Sequence, residues 1–132
     1  MQLTSSQIEL IASCRVAIVA TQGPDGSPHL TATWFDLGDD DMVRISIASK
    51  GQKARNLERD RHATLFFIDP ETSLHTVELR GTMTIEPDAD LTFAKKVGAK
   101  HGDDLSQYLQ PGEIRLTATL QPAKVVEFRV PQ

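Results

Sequence analysis

Apolar and polar residues alternate with a period of two along much of this chain, which predicts strands rather than helices. Val43, Ile45 and Ile47 take turns with Arg44, Ser46 and Ala48, and the strand they form leads into Ser49-Lys50-Gly51-Gln52-Lys53 and then a short helix carrying Ala54 and Leu57. The longest alternation runs from Leu74 to Ile85. Val77, Leu79, Gly81, Met83 and Ile85 share one face, while Thr76, Glu78, Arg80, Thr82 and Thr84 share the other. Ile114, Leu116, Ala118 and Leu120 alternate again, and Val126, Phe128 and Val130 close the chain, with Pro122 separating these last two strands. Val16–Thr21 and Ala63–Ile68 are apolar on both faces, as strands covered on both sides are.

Turn chemistry punctuates these runs. Gly23-Pro24-Asp25-Gly26 makes Pro28 to Leu37 the returning arm of a hairpin, Gly38-Asp39-Asp40-Asp41 is the next turn, and Asp69-Pro70 closes the Ala63–Ile68 strand. Ser6 and Glu9 have the spacing of a capping box and predict a helix to about Ser13. A second helix is expected from Pro87 to Lys100 with Leu91, Ala94 and Val97 (or Gly98) facing inward, followed by a helical turn around Leu105 to Leu109. Six or seven mostly hairpin-connected strands with two or three short helices predict a mainly β (α+β) fold. An antiparallel barrel suits them better than a doubly wound parallel sheet.

Composition narrows the class. With 132 residues, 39% of them hydrophobic, the chain is expected to form a single domain, 1–132, with a core of its own. A net charge of −4 argues against a nucleic-acid partner. Cys14 is the only cysteine, which excludes an internal disulfide; among Ile11, Ala12 and Val16 it reads as a buried, inert thiol. The first ten residues lack the basic and apolar regions of a signal peptide, and no apolar run reaches membrane-spanning length. The expectation is a cytoplasmic protein with no membrane partner.

The usual catalytic signatures are missing: no G-x-G-x-x-G, P-loop, G-x-S-x-G or H-E-x-x-H occurs. His29, His62, His75 and His101 fall on separate elements without metal-ligand spacing, and Asp39-Asp40-Asp41 reads as a solvated turn, so no metal site is expected. No catalytic residue is assigned. Charge is more informative. From Arg44 to His62 there are six Lys/Arg against two acids. Arg55, Arg59 and Arg61 fit surface pairing with Glu58 and Asp60. Lys53 does not, because a cation in the first turn of a helix opposes the helix dipole unless an anion is present. Lys53, with Lys50 beside it, therefore marks a phosphate site. A second constellation is Pro28 to Phe35, which holds the only tryptophan, Trp34. Thr31, Ala32 and Thr33 are small enough to let a flat ring approach the backbone; the same segment also suits a plain barrel strand with Trp34 in the core.

Five segments, in this order, resemble a known family: Ala20-Thr21-Gln22-Gly23-Pro24-Asp25-Gly26-Ser27-Pro28-His29, the small-residue strand ending in Trp34-Phe35, Ser49 to Leu57 (SKGQKARNL), Glu58 to Leu65 (ERDRHATL), and Asp69-Pro70 with Val77-Glu78-Leu79-Arg80-Gly81. The chain is similar to the pyridoxamine-phosphate-oxidase-like superfamily, and within it to the flavin/deazaflavin oxidoreductase group B, the F420-dependent proteins of actinobacteria. The resemblance implies an FMN-binding type of split β-barrel and a homodimer with cofactor sites at the subunit interface. It implies that Lys53 contacts the cofactor phosphate, helped by Lys50, Gln52 and Asn56. Thr31, Ala32, Thr33 and Trp34, with Ser46, Ile47 and Ala48, would line the tricyclic ring. Residues near His75 and Val77 of a partner subunit would close the pocket. The implied activity is hydride transfer from reduced coenzyme F420 to an unsaturated or conjugated small molecule. The alternatives are an FMN-binding flavoprotein of the same fold and a non-catalytic module for a cofactor or tetrapyrrole.

Overall fold

Strand pairing sets the architecture. The computed structural model describes residues 2–131. In chain order it comprises α1 (Ser5–Ser13), β1 (Ala17–Gln22), β2 (Pro28–Thr33), β3 (Asp36–Leu37), β4 (Val43–Ala48), α2 (Gln52–Arg59), β5 (His62–Ile68), β6 (His75–Pro87), α3 (Thr92–Lys100), a 3₁₀ turn (Leu105–Tyr108) and β7 (Arg115–Arg129). The seven strands form one antiparallel sheet in the order β2-β1-β5-β6-β7-β4-β3. This is the mainly β, α+β barrel architecture that the alternation predicted.

The ends of that order explain its shape. β2 and β3 lie at opposite limits of the sheet, yet only Trp34 and Phe35 connect them in sequence. A two-residue link can join the two edges only if the sheet curls back on itself. The curl does not close by hydrogen bonding. β3 pairs with β4 only at Arg44 and Val43, so Ser46 to Ala48 keep an unpaired edge on that side. Phe35 is buried and meets Phe67 edge-to-face with centroids 5.2 Å apart, which pins the link across the gap. The core behind it contains Val19, Ile45, Ile47, Leu65, Phe67, Val77, Leu79 and Leu120, with Ile11 of α1 and Leu57 of α2.

Several expectations are corrected. The hairpin arm predicted from Pro28 to Leu37 breaks at Trp34-Phe35, because the chain leaves one sheet edge for the other there. The α1 capping box is formed by Thr4 and Gln7, not Ser6 and Glu9: Gln7 N donates to Thr4 Oγ1 at 3.2 Å and Thr4 N to Gln7 Oε1 at 2.9 Å. α3 begins at Thr92 instead of Pro87, since β6 runs on through Pro87. Asp88 then serves α3 from outside, its carboxylate accepting from the amides of Phe93 at 3.2 Å and Ala94 at 2.9 Å. Ile114 is exposed rather than core-facing, while Arg115 is buried. Among the described residues no helix is long and apolar enough to cross a membrane.

Pro122 does not separate two strands. β7 is continuous, and the sheet absorbs the proline at a bulge in which the register between β6 and β7 shifts at Arg80/Gly81 and Ala123 is left over. Gly81 is required there because a Cβ would run into the carbonyl oxygen of Gln121. Gly81→Ala should therefore lower stability by about 1–3 kcal/mol. In urea titration the midpoint should fall at unchanged slope; an unmoved midpoint would mean that the bulge yields without cost.

Candidate functional site

The open side of the barrel is where the polar chemistry collects. α2 follows β4 directly and starts beside the unpaired edge. Its N-cap is Gly51, which offers no side-chain oxygen, and its first turn holds no acid. Within the described residues, no acceptor serves the amides of Gln52, Lys53 and Ala54. Three free amides and a lysine in one helical turn form an anion-binding arrangement. The Lys53 ammonium is half-buried and donates to Thr31 Oγ1 of β2 at 3.0 Å, so it reaches across the gap to the opposite edge.

A second cation stands next to it. Arg115 begins β7 and pairs with Ala48; its guanidinium lies along β4, Nε donating to Ser46 Oγ and Nη2 to Ser46 O, each at 3.0 Å. Only 7% of Arg115 is exposed. Among the described residues neither Lys53 nor Arg115 forms a salt bridge. Burial pushes the Lys53 ammonium below its ordinary pKa, and the Arg115 charge pushes the same way. Burial lowers the Arg115 pKa too, opposed by the charges of Glu113 and Asp88. Both carboxylates are already committed to backbone amides, Asp88 at α3 and Glu113 at Lys50 N (3.0 Å) and Gln110 N (2.8 Å). Two partly or wholly desolvated cations thus lie at one opening, and no described carboxylate contacts either of them.

The cleft beside them has a volume of about 300 Å³ and is lined by Val16, Ala32, Thr33, Trp34, Ser46, Asp103, Leu105, Tyr108 and Arg115. Trp34 is held flat against His101, the rings 4.3 Å apart and 10° from parallel. The imidazole is itself anchored, with Nε2 2.9 Å from Arg15 O and Nδ1 3.3 Å from Val97 O. At the mouth, the Tyr108 hydroxyl donates to Asp103 Oδ2 at 2.7 Å, which raises the phenol's pKa and lowers that of the carboxyl.

Of the residues singled out in the sequence, Thr31, Ala32, Thr33, Trp34, Ser46 and Lys53 are brought together at this opening. Gln52 lies beside Lys53, but its amide donates to Asn56 Oδ1 at 2.7 Å. Asn56 is fully buried: it donates to Thr21 Oγ1 at 3.0 Å and accepts from Arg59, so it ties α2 to β1 and offers no free edge to a ligand. Ile47 and Val77 point into the core, which follows from their alternation with outward-facing neighbours. Lys50 is exposed at the rim near Gly112, and Ala48 is half-buried. His75 lies in a different depression with Glu9, Asp69 and Arg129, clamped 2.7 Å from Glu127 Oε2 and 3.6 Å from Asp69 Oδ2. Within one chain, neither His75 nor Val77 lines the cleft. Arg115 and Asp103 went unremarked in the sequence, and Tyr108, its only tyrosine, was given no role there. Arg115 has one faint signal, a lone charge opening an alternating strand, and only the β4–β7 pairing, which sets it opposite Ala48, brings its guanidinium within reach of Ser46.

The family model for pyridoxamine 5'-phosphate oxidase matches residues 3–130. The chain belongs to that family. Among solved structures, an F420 reductase is similar at 25% identity with a TM-score of 0.80, covering 94% of this chain and 98% of its own. A conserved hypothetical protein from Mycobacterium tuberculosis is similar at 22% identity and a TM-score of 0.75, covering 100% of this chain and 91% of its own. A heme binding protein from Mycobacterium smegmatis shares the fold at 17% identity and a TM-score of 0.70, covering 96% of this chain and 55% of its own. No functionally curated protein matches the chain. The family is of oxidoreductase type, and its fold accommodates flavin-type cofactors.

The uncompensated lysine carries a stability cost. Its folded pKa lies below the unfolded one, so the penalty is complete at neutral pH and fades as pH rises from the lowered folded value toward that of a free lysine. Lys53→Met should raise the stability of the ligand-free protein at pH 7 by roughly 0.5–1 kcal/mol, a low figure because the ammonium is partly solvated. Urea denaturation at pH 7 and again in the alkaline range should show the difference shrinking. A variant less stable than wild type at pH 7 would mean that the charge is already balanced.

Proposed function

We propose that the protein binds coenzyme F420 in the open seam of the barrel and transfers hydride between it and an unsaturated or conjugated small molecule. The observation that carries this reading is the half-buried Lys53 ammonium at the uncapped start of α2, which no described carboxylate contacts, with the buried Arg115 lining the adjoining cleft. Such a site suits a phosphorylated ligand. The adjoining cleft, with the Trp34 indole held flat by His101 and only small side chains at Ala32 and Thr33, suits a planar ring. The similar F420 reductase favours the deazaflavin, while the family as a whole leaves FMN as the alternative.

The bound cofactor would supply the hydride chemistry, which is why no acid–base pair need stand in the sequence. Lys53 and the amides of Gln52 to Ala54 would hold the phosphate. Trp34, Ala32 and Thr33 would fix the plane of the ring, and Tyr108 and Leu105 would exclude water at the mouth. The decisive experiment is a fluorescence titration of F420 and of FMN into wild type and Lys53→Ala. The variant should lose about 1.5–3 kcal/mol of affinity for the cofactor that the wild type prefers. Unchanged affinity would remove Lys53 from the phosphate site. Tight binding of FMN alone would select the alternative, and heme binding without that of either cofactor would select a tetrapyrrole module.

A homodimer belongs to the same proposal. Val16 lines both the cleft and an adjoining apolar groove of about 400 Å³ on the outer face of β1 and β5, which also holds Ile18, Phe66 and Ile68. A second copy of the chain covering that groove would border the cleft and finish its wall. Sedimentation should give twice the 14.5 kDa of the chain, and Ile68→Glu should shift it to the monomer; a wild-type monomer would overturn the assembly.

A further inference from the structure

Lys53 and Arg115 are both cations in one site, yet they stand in different places. Lys53 belongs to the first turn of α2, where the free amides gather. Arg115 is on the far side of the β4 edge, laid along Ser46, and it lines the cleft with Trp34, Ala32 and Thr33. Its Nε and Nη2 each donate to Ser46, and a guanidinium has five N–H groups, so three N–H groups remain without a partner in the described residues. A phosphate held by the start of α2 therefore does not account for Arg115. A fixed, desolvated positive charge in the ring compartment acts on whatever charge the ring carries.

We propose that Arg115 is the residue that sets the redox balance of the bound cofactor, by stabilising the reduced ring over the oxidised one. This rests on the reading that the cleft takes F420 or FMN. The reduced form of either ring differs from the oxidised form by a hydride (one proton and two electrons), and so would carry one more unit of negative charge before any further proton is taken up. When the hydride passes to the unsaturated acceptor that charge leaves with it, and the acceptor then takes a proton from water. A cation tied to Ser46 and largely withdrawn from water would favour the more negative ring, which would bias the protein toward holding reduced cofactor. A cation that only neutralised phosphate would favour both redox forms equally. That difference separates the two roles experimentally.

The test measures dissociation constants for the oxidised and the anaerobically reduced cofactor, F420 and FMN in turn, against wild type, Arg115→Gln and Arg115→Lys. In Arg115→Gln the ratio should move at least tenfold against the reduced form, a drop of about 30 mV in the two-electron potential. Arg115→Lys keeps the charge and should restore much of the ratio. Should Arg115→Gln fail to fold, Ser46→Asp gives the same information, because its carboxylate would pair with Arg115 in place and cancel the charge. Equal weakening of both redox forms, or an unmoved ratio, would overturn the assignment and leave Arg115 as a strand tie or a phosphate contact. Wild type that binds neither cofactor would overturn the functional reading as well, and so tells the two failures apart.

Discussion

The edge that β4 leaves unpaired beyond Arg44 is the constraint on which the rest of the molecule turns. A sheet that closed fully would have no opening, and its interior is already filled by Ile45, Ile47, Leu65 and Phe67. Because β3 is only two residues long, the seam stays open just where α2 begins. The free amides of that helix, the Lys53 ammonium and the Arg115 guanidinium then converge on a gap that backbone hydrogen bonding has not used. Trp34 and Phe35 hold the gap at a fixed width: one ring is buried against Phe67, and the other is turned to the cleft.

Electrostatics and packing work against each other at this seam. Lys53 is tied to Thr31 and Arg115 to Ser46, so hydrogen bonds hold both cations at the opening instead of in bulk water. A carboxylate in contact would offset the cost of burying them. Asp88 and Glu113 are near enough to be felt by Arg115, but each is tied to backbone amides elsewhere. Burial disfavours the charge on Lys53 and on Arg115, the arrangement expected where anion binding depends on preorganised charge.

Much of this was legible in the residues. Period-two alternation located the long β6 face from Val77 to Ile85, and the turn signals at Gly23–Gly26 and Gly38–Asp41 placed the first hairpins. Lys53 stood out because a lysine in a helix's first turn opposes the local dipole, a conflict visible without coordinates. Arg115 did not stand out, since its meaning depends on a register between strands some seventy positions apart, and register is a long-range property. Pro122 misled for a related reason: a proline ends a strand locally, but a bulge opposite Gly81 let β7 continue. Asn56 was a ligand contact only by the family resemblance, which carries no information on what else its amide would bind. The buried hydroxyl of Thr21 claims it instead.

The stack of Trp34 on His101 has a consequence of its own. With a single tryptophan in the sequence, all of the protein's indole emission arises from one ring, and that ring borders the cleft while an imidazole covers its other side. Whatever enters or leaves the seam changes the surroundings of that one chromophore. The molecule therefore carries its own optical gauge of occupancy, built from the same two rings that give the cleft its flat wall.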